Sequence, residues 1–101
     1  MRMDMDFNSI SEAFESKIRI AIQCSLLNGP KSFSELKEIT GATDGNLSSH
    51  LTKLENIQHI TVDKAFVGKR PKTTYTLTEL GRQKLSEYVD LLESLIKLND
   101  N

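Results

Sequence analysis

Residues Ser32 to Glu55 read SFSELKEITGATDGNLSSHLTKLE. Ser32 and Glu35 have capping-box spacing: the hydroxyl accepts from first-turn amides and the carboxylate reaches back. Phe33, Leu36 and Ile39 then fall on one side, which predicts a short helix from Phe33 to about Ile39. Gly41 ends it, and Thr40-Gly41-Ala42-Thr43 makes a tight connection. Thr43 or Asp44 suits the N-cap of a second helix. Its apolar positions, Leu47, Leu51, Leu54 and Ile57, are spaced four, three and three, a narrow stripe on an otherwise polar helix. Two short helices joined by a glycine-containing turn form the helix-turn-helix pattern.

Upstream, Ala13, Phe14, Ile18, Ala21, Ile22, Ser25 and Leu26 recur at helical spacing, so one amphipathic helix is expected from about Ser11 to Leu27. Asn28-Gly29-Pro30 stops it. Downstream the period changes. Ile60 to Phe66 alternates as a strand does, and Thr73 to Leu77 is β-branched and aromatic. Val67 to Lys72 is read as the turn between them. Thr78 caps a last long helix running to about Leu98, with Leu80, Leu85, Tyr88, Val89, Leu92, Leu95 and Ile96 on its apolar side. The order is α-α-α-β-β-α, mainly α with one β-hairpin, and residues 31–33 have room for a short extra strand.

The 101 residues fit one compact domain spanning 1–101. With 38% hydrophobic and 27% charged residues, the composition is that of a soluble globular chain. No apolar run approaches the roughly 18 residues of a membrane span, and MRMDMDFNSI lacks a secretory pattern. A cytoplasmic protein without membrane contact is expected. One cysteine, Cys24, precludes an internal disulfide. With only His50 and His59 beside it, the usual four-ligand zinc site is not expected. No cofactor is foreseen, and Cys24 is expected to be a buried structural thiol.

The net charge is −1, but it is unevenly spread. Residues 43–75 hold five bases (Lys53, Lys64, Lys69, Arg70, Lys72) against three acids (Asp44, Glu55, Asp63), while both flanking segments are acidic. Local potential governs attraction to a phosphate backbone.

Three pieces of sequence carry a resemblance: SFSELKEITGATDGNLSSHLTKLE, VGKRPKTTYTLTELGRQKLSEY (Val67–Tyr88) and the leucine-rich C-terminal helix. Together they resemble small stand-alone winged helix-turn-helix regulators of the MarR, ArsR and PadR type over roughly residues 16–98. The resemblance implies a winged helix that binds double-stranded DNA, regulates transcription and dimerises. The chain departs from it at Ile57-Gln58-His59-Ile60, where many relatives have a glycine, so Gln58 or His59 needs an unusual backbone angle.

On a helical wheel Leu51 and Leu54 lie within about 40° of Leu47. The opposite side carries Gly45, Asn46, Ser49, Thr52 and Lys53, small or hydrogen-bonding groups suited to a major groove. Asn46 can pair bidentately with an adenine edge, Ser49 and Thr52 can serve base or phosphate oxygens, and Lys53 suits phosphate. Thr43 and the helix amides favour an anion. A solvated helix face is the bland alternative. His50 is expected to pack with its ring hydrogen-bonded. In the hairpin, Lys69, Arg70 and Lys72 stand with no acid between Phe66 and Tyr75. The resemblance places such a wing on phosphates or in the minor groove, where Arg is favoured.

The last helix holds more leucine than one small domain covers. Leu91, Leu92, Leu95, Ile96 and Leu98, with Phe7, Ile10 and Phe14 near the N-terminus, are the candidate dimer surface, formed by helices within 1–28 and 78–98. No P-loop, dinucleotide fingerprint, HExxH or GxSxG occurs, so an enzyme is not expected. A protein-interaction adaptor that never touches DNA stays open, given the acidic balance. So does a regulator with a small-molecule effector between its dimerisation helices, although no pattern identifies that ligand.

Overall fold

Ser16 interrupts the helix that periodicity alone would run from Ser11 to Leu27. It is extended (φ −136, ψ 134), and its Oγ accepts from the backbone N–H groups of Ile18 and Arg19, at 3.1 and 3.4 Å. Ser11 likewise caps a 3-10 turn, Glu12–Phe14, through the Ala13 N–H. The expected single helix is therefore three pieces: that turn, α1 (Lys17–Ser25) and a second 3-10 turn, Leu26–Asn28. Serine hydroxyls compete well for orphan N–H groups, so two of them in one periodic run favour starts over continuation. The break lets Phe14 turn inward. Its ring stacks on Tyr88 with centroids 4.5 Å apart and lies 6.0 Å from His59.

The structure is a computed structural model and describes residues 11–98. After α1 come β1 (Lys31–Ser32), α2 (Phe33–Thr40), α3 (Asp44–Asn56), β2 (Ile60–Val67), β3 (Arg70–Leu77) and α4 (Glu79–Leu98). The fold is mainly helical with a small antiparallel sheet ordered β1-β3-β2. The extra strand near 31–33 is present as Lys31–Ser32, which pairs with Tyr75 and Thr74. The capping box forms in full: Ser32 Oγ accepts from the Glu35 N–H, and a Glu35 carboxylate oxygen accepts from the Ser32 N–H at 2.8 Å. Gly41 ends α2 in the left-handed region, φ 69. Thr43 opens α3, with its hydroxyl accepting from the Asn46 N–H.

The α3 terminus is where the chain needed an unusual angle, and Gln58 supplies it at φ 67. The His59 N–H donates to the Leu54 carbonyl and the Gln58 N–H to the Glu55 carbonyl, at 3.0 and 2.9 Å. That pair of bonds is a Schellman closure with a non-glycine residue in the left-handed seat. Thr78 then ties α4 to this turn. Its N–H donates to the His59 carbonyl, its hydroxyl donates to the Gln58 carbonyl, and the same oxygen accepts from the Gly81 N–H.

Leu36, Leu47, Leu51, Leu54, Ile22, Leu26, Ile60, Tyr75, Leu77 and Leu85 form the core. The α3 stripe is buried as expected, with Ile57 half-buried at its end. Gln23 and His59 sit among these apolar groups and satisfy each other. Both Gln23 amide hydrogens go to carbonyls, of Ala13 and Arg19, so its Oε1 accepts from His59 Nδ1 at 2.8 Å. Burial, with the Lys84 charge adding to it, lowers the His59 pKa and so favours the neutral ring.

Two further expectations need correction. Val67 to Lys72 is not a loop: β2 runs through Val67 and β3 resumes at Arg70, leaving a two-residue turn. Gly68 at φ 66 provides the positive angle such hairpins require at the first central position. Cys24 is exposed rather than buried; the inner positions of this stretch go to Ile22 and Gln23 of α1 and to Leu26 just after it.

Candidate nucleic-acid interface

The α3 stripe settles which side of that helix faces out. With Leu47, Leu51 and Leu54 buried, Gly45, Asn46, Ser48, Ser49 and Thr52 are all exposed, as is the capping Thr43. Ser48 belongs to this set, although the wheel reading did not include it. The outward side holds no bulky residue, and no atom lies within 4 Å of where a Cβ at Gly45 would stand.

Asp44 and Lys53 of α3 are each paired with a residue of another element. Asp44, an acid at a helix start where phosphate would be favoured, meets Lys37 Nζ at 2.7 Å, so its repulsion is offset from α2. Lys53 is half-exposed and its Nζ lies 2.8 Å from Glu12 Oε1. That partner draws the Glu12 carboxyl below the usual carboxylate range. His50 is half-buried as foreseen, with Nδ1 accepting from Arg19 Nε at 3.0 Å. Arginine cannot accept, so His50 is neutral with its proton on Nε2. Burial and the nearby Arg19 charge lower its pKa. Arg19 also donates through Nη1 to the Glu12 carbonyl. The N-terminal 3-10 turn and α1 thus clasp the flank of α3 by two polar contacts, one at His50 and one at Lys53.

In the hairpin, Lys64, Lys69, Arg70 and Lys72 are exposed, and none enters an ion pair among the described residues. Lys69 sits in the turn, and Arg70 and Lys72 lie on β3. Strand alternation puts Arg70 and Lys72 on one face with Ala65 and Val67. The other face carries Ile60, Val62, Tyr75 and Leu77 inward to the core and ends in Phe66 and Pro71. An open cleft of about 370 Å³ separates the hairpin from the first turn of α2, lined by Ser32, Ser34, Arg70, Lys72 and Thr73 among others. At its edge the Ser32 N–H, with smaller help from Lys31 and Lys72, holds the Glu35 carboxyl below its ordinary range.

Among the candidate dimer residues, Phe14 is only 7% exposed, covered by Tyr88 and His59, so it serves its own core. Phe7 and Ile10 lie outside the described residues. On α4, burial ends at Leu85; Leu91 and Leu95 are half-buried, and Val89, Leu92, Ile96 and Leu98 are exposed. Among the described residues no group of three or more His, Cys, Asp or Glu could hold a metal ion.

This architecture recurs in known proteins. An uncharacterized protein of Methanocaldococcus jannaschii is 37% identical over 78 residues, 75% of this chain and 84% of the relative. A transcriptional regulator homologue from Pyrococcus horikoshii superposes with a TM-score of 0.75 at 27% identity, covering 89% of this chain and 95% of the other. PadR of Bacillus subtilis, solved with operator DNA, gives 0.63 at 25% identity, over 69% of this chain but 45% of PadR. A family model described as a winged helix DNA-binding domain matches residues 18–96, from the first turn of α1 almost to the end of α4, and this chain belongs to that family.

Proposed function

We propose that this chain is a sequence-specific regulator of transcription that binds double-stranded DNA as a homodimer. One observation carries the reading: α3 turns outward a face of small hydrogen-bonding residues, and the hairpin that follows it bears four exposed cations that enter no ion pair among the described residues. An ordinary solvated helix is richer in Glu and Lys. In this reading α3 enters the major groove, with Asn46 and Ser49 at base edges and Gly45, Thr43 and Thr52 near the backbone. Lys53, Lys69, Arg70 and Lys72 meet phosphates, or the minor groove in the case of Arg70. The likeness to a PadR solved on its operator supports this.

Homodimerisation through α4 supplies the second half. Leu91, Leu92, Leu95, Ile96 and Leu98 follow a helix surface that the chain itself leaves largely uncovered, and a twofold pair would present two α3 helices about one DNA turn apart. No helix of the described residues is long and apolar enough to cross a membrane, in keeping with work in the cytoplasm.

The test is fluorescence anisotropy with a random-sequence duplex at low salt, alongside sedimentation of the free protein. Binding that weakens steeply with salt, and a dimer that Leu92→Lys with Ile96→Lys converts to monomer, are the expected results. The acidic pI of about 6.1 favours the adaptor reading. No duplex binding at low salt would end our reading and leave the adaptor as the alternative.

A further inference from the structure

The hairpin tip has an apolar side. Phe66 is 74% exposed, the most exposed of the large hydrophobic residues described; Val67, next in the strand but on the opposite face, is 62% exposed. Phe66 faces Pro71 in the antiparallel register, one rung from the turn-closing pair Val67 and Arg70. Rungs alternate in a hairpin with a two-residue turn, so the 66–71 pair is the non-hydrogen-bonded kind, whose side chains approach most closely. Pro71 therefore forfeits no ladder bond, and its ring completes an apolar pair with Phe66. This pair lies on the face of Ile60, Val62, Tyr75 and Leu77, one same-face rung past Lys64 and Thr73 and beyond the point where the body covers that face. Covering that ring would remove its apolar surface from water, which is favourable.

The charge around it identifies the cover. Lys64 shares the pair's face one same-face rung back, Lys69 stands in the turn, Arg70 and Lys72 flank Pro71 with their side chains on the opposite face, and Asp63 is the only acid from Ile60 to Leu77. A partner must combine dense negative charge with an apolar wall. The minor groove of DNA does so, with phosphate rims above deoxyribose faces. It is narrow, about 6 Å, and a two-residue turn is the slimmest end a β-ribbon offers. One aromatic ring is too small an anchor for a bilayer, where stable attachment needs two strong signals. We infer that Phe66, backed by Pro71, packs against the deoxyribose walls of the minor groove flanking the site read by α3, while Lys69 and Arg70 hold the phosphate rims. The inference rests on the DNA-binding reading above and assigns the wing an apolar contact in addition to its charge.

The experiment uses the full chain and a 30-base-pair duplex selected by this protein from a random pool. Phe66→Ala and Phe66→Leu are compared with Arg70→Ala. Phe66→Ala should bind about tenfold more weakly, with an unchanged slope of log affinity against log salt, and Phe66→Leu should recover part of the loss. Arg70→Ala should reduce the slope. Hydroxyl-radical cleavage reports deoxyribose exposure in the minor groove. The wild type should protect sugars at the edges of the site, and Phe66→Ala should lose that protection while guanine N7 protection in the major groove persists. Unchanged affinity and protection in Phe66→Ala would overturn the inference, as would a loss of dimer in sedimentation, which would assign Phe66 to a second copy. If the wild-type chain retains no duplex from the pool, the DNA-binding reading itself falls.

Discussion

Glu12 holds Lys53 at 2.8 Å, from a 3-10 turn more than forty residues upstream. The lysine proposed for a phosphate contact is thus already occupied by a carboxylate of its own chain. Phosphate must displace Glu12, and the pair's attraction is subtracted from that contact. Glu12→Gln should therefore tighten DNA binding by about two- to fivefold, because an exposed pair is only weakly held. The salt dependence should stay nearly as steep, since Lys53 remains available. Anisotropy titrations at three salt concentrations measure both, and weaker binding in the variant would show that Glu12 orients Lys53 productively instead.

Gly81 of α4 lies against the turn that follows α3. A Cβ there would meet the His59 carbonyl oxygen at 2.3 Å and Leu77 Cδ1 at 2.8 Å. Both are fixed, the oxygen by the Thr78 N–H and the leucine by the core. Gly81→Ala should cost about 2–4 kcal/mol in urea unfolding, as overpacked buried sites do. Gly45→Ala has open space around it and should leave stability unchanged or raise it slightly.

Stability should fall on mild acidification. His59 and His50 both have lowered pKa values in the fold, so the unfolded chain binds protons that the native chain refuses. The contribution is complete above the ordinary histidine value of about 6.5 and is lost as pH drops from there toward the folded values. At His50, a proton on Nδ1 would also expel Arg19 Nε. The urea midpoint at pH 5.5 should lie below that at pH 7.5. His59→Asn, whose amide can still donate to Gln23, should lower the midpoint at pH 7.5 but shrink the difference between the two. An unchanged difference would mean that His50 alone carries the effect.

Lys69→Ala with Arg70→Ala should weaken binding to every duplex and reduce the salt slope by about one unit per lost contact. Asn46→Ala should act differently, flattening the discrimination between selected and random duplexes by about 1–3 kcal/mol while leaving the slope alone. Competition titrations separate the two outcomes. A uniform loss in Asn46→Ala would place that side chain on the backbone.

The helical pair and its caps were legible because each signal is local. Ser32, Glu35, Gly41 and Thr43 act within a few residues of themselves, and the stripe from Leu47 to Ile57 needs only helical spacing. The need for an odd angle near Gln58 was legible too, from a missing glycine. Apolar period alone could not reveal the break at Ser16, since Phe14 and Ile18 keep their spacing whether or not the backbone turns between them. Charge clustering around Arg70 and Lys72 suggested a loop, whereas strand pairing continues to the last rung because Gly68 alone supplies the reversal. The exposed α3 face could be read from its complement, the buried stripe. The clasp from Glu12 and Arg19 joins distant segments and leaves no local signal. Phe66 was hidden for a further reason: alternation marks it as core-facing, and only the length of the ribbon shows that the core ends before it.

Register makes the hairpin's length discrete. Removing one rung, a residue from each strand, would place Val67 and Arg70 where Phe66 and Pro71 now stand, turning the guanidinium inward and the aromatic ring out of the molecule. Removing two rungs would preserve the facing and withdraw the tip by about 7 Å. Related chains that vary this ribbon without exchanging its two sides should therefore differ by even numbers of residues per strand, and a single-residue insertion within β2 should be more damaging than a double one.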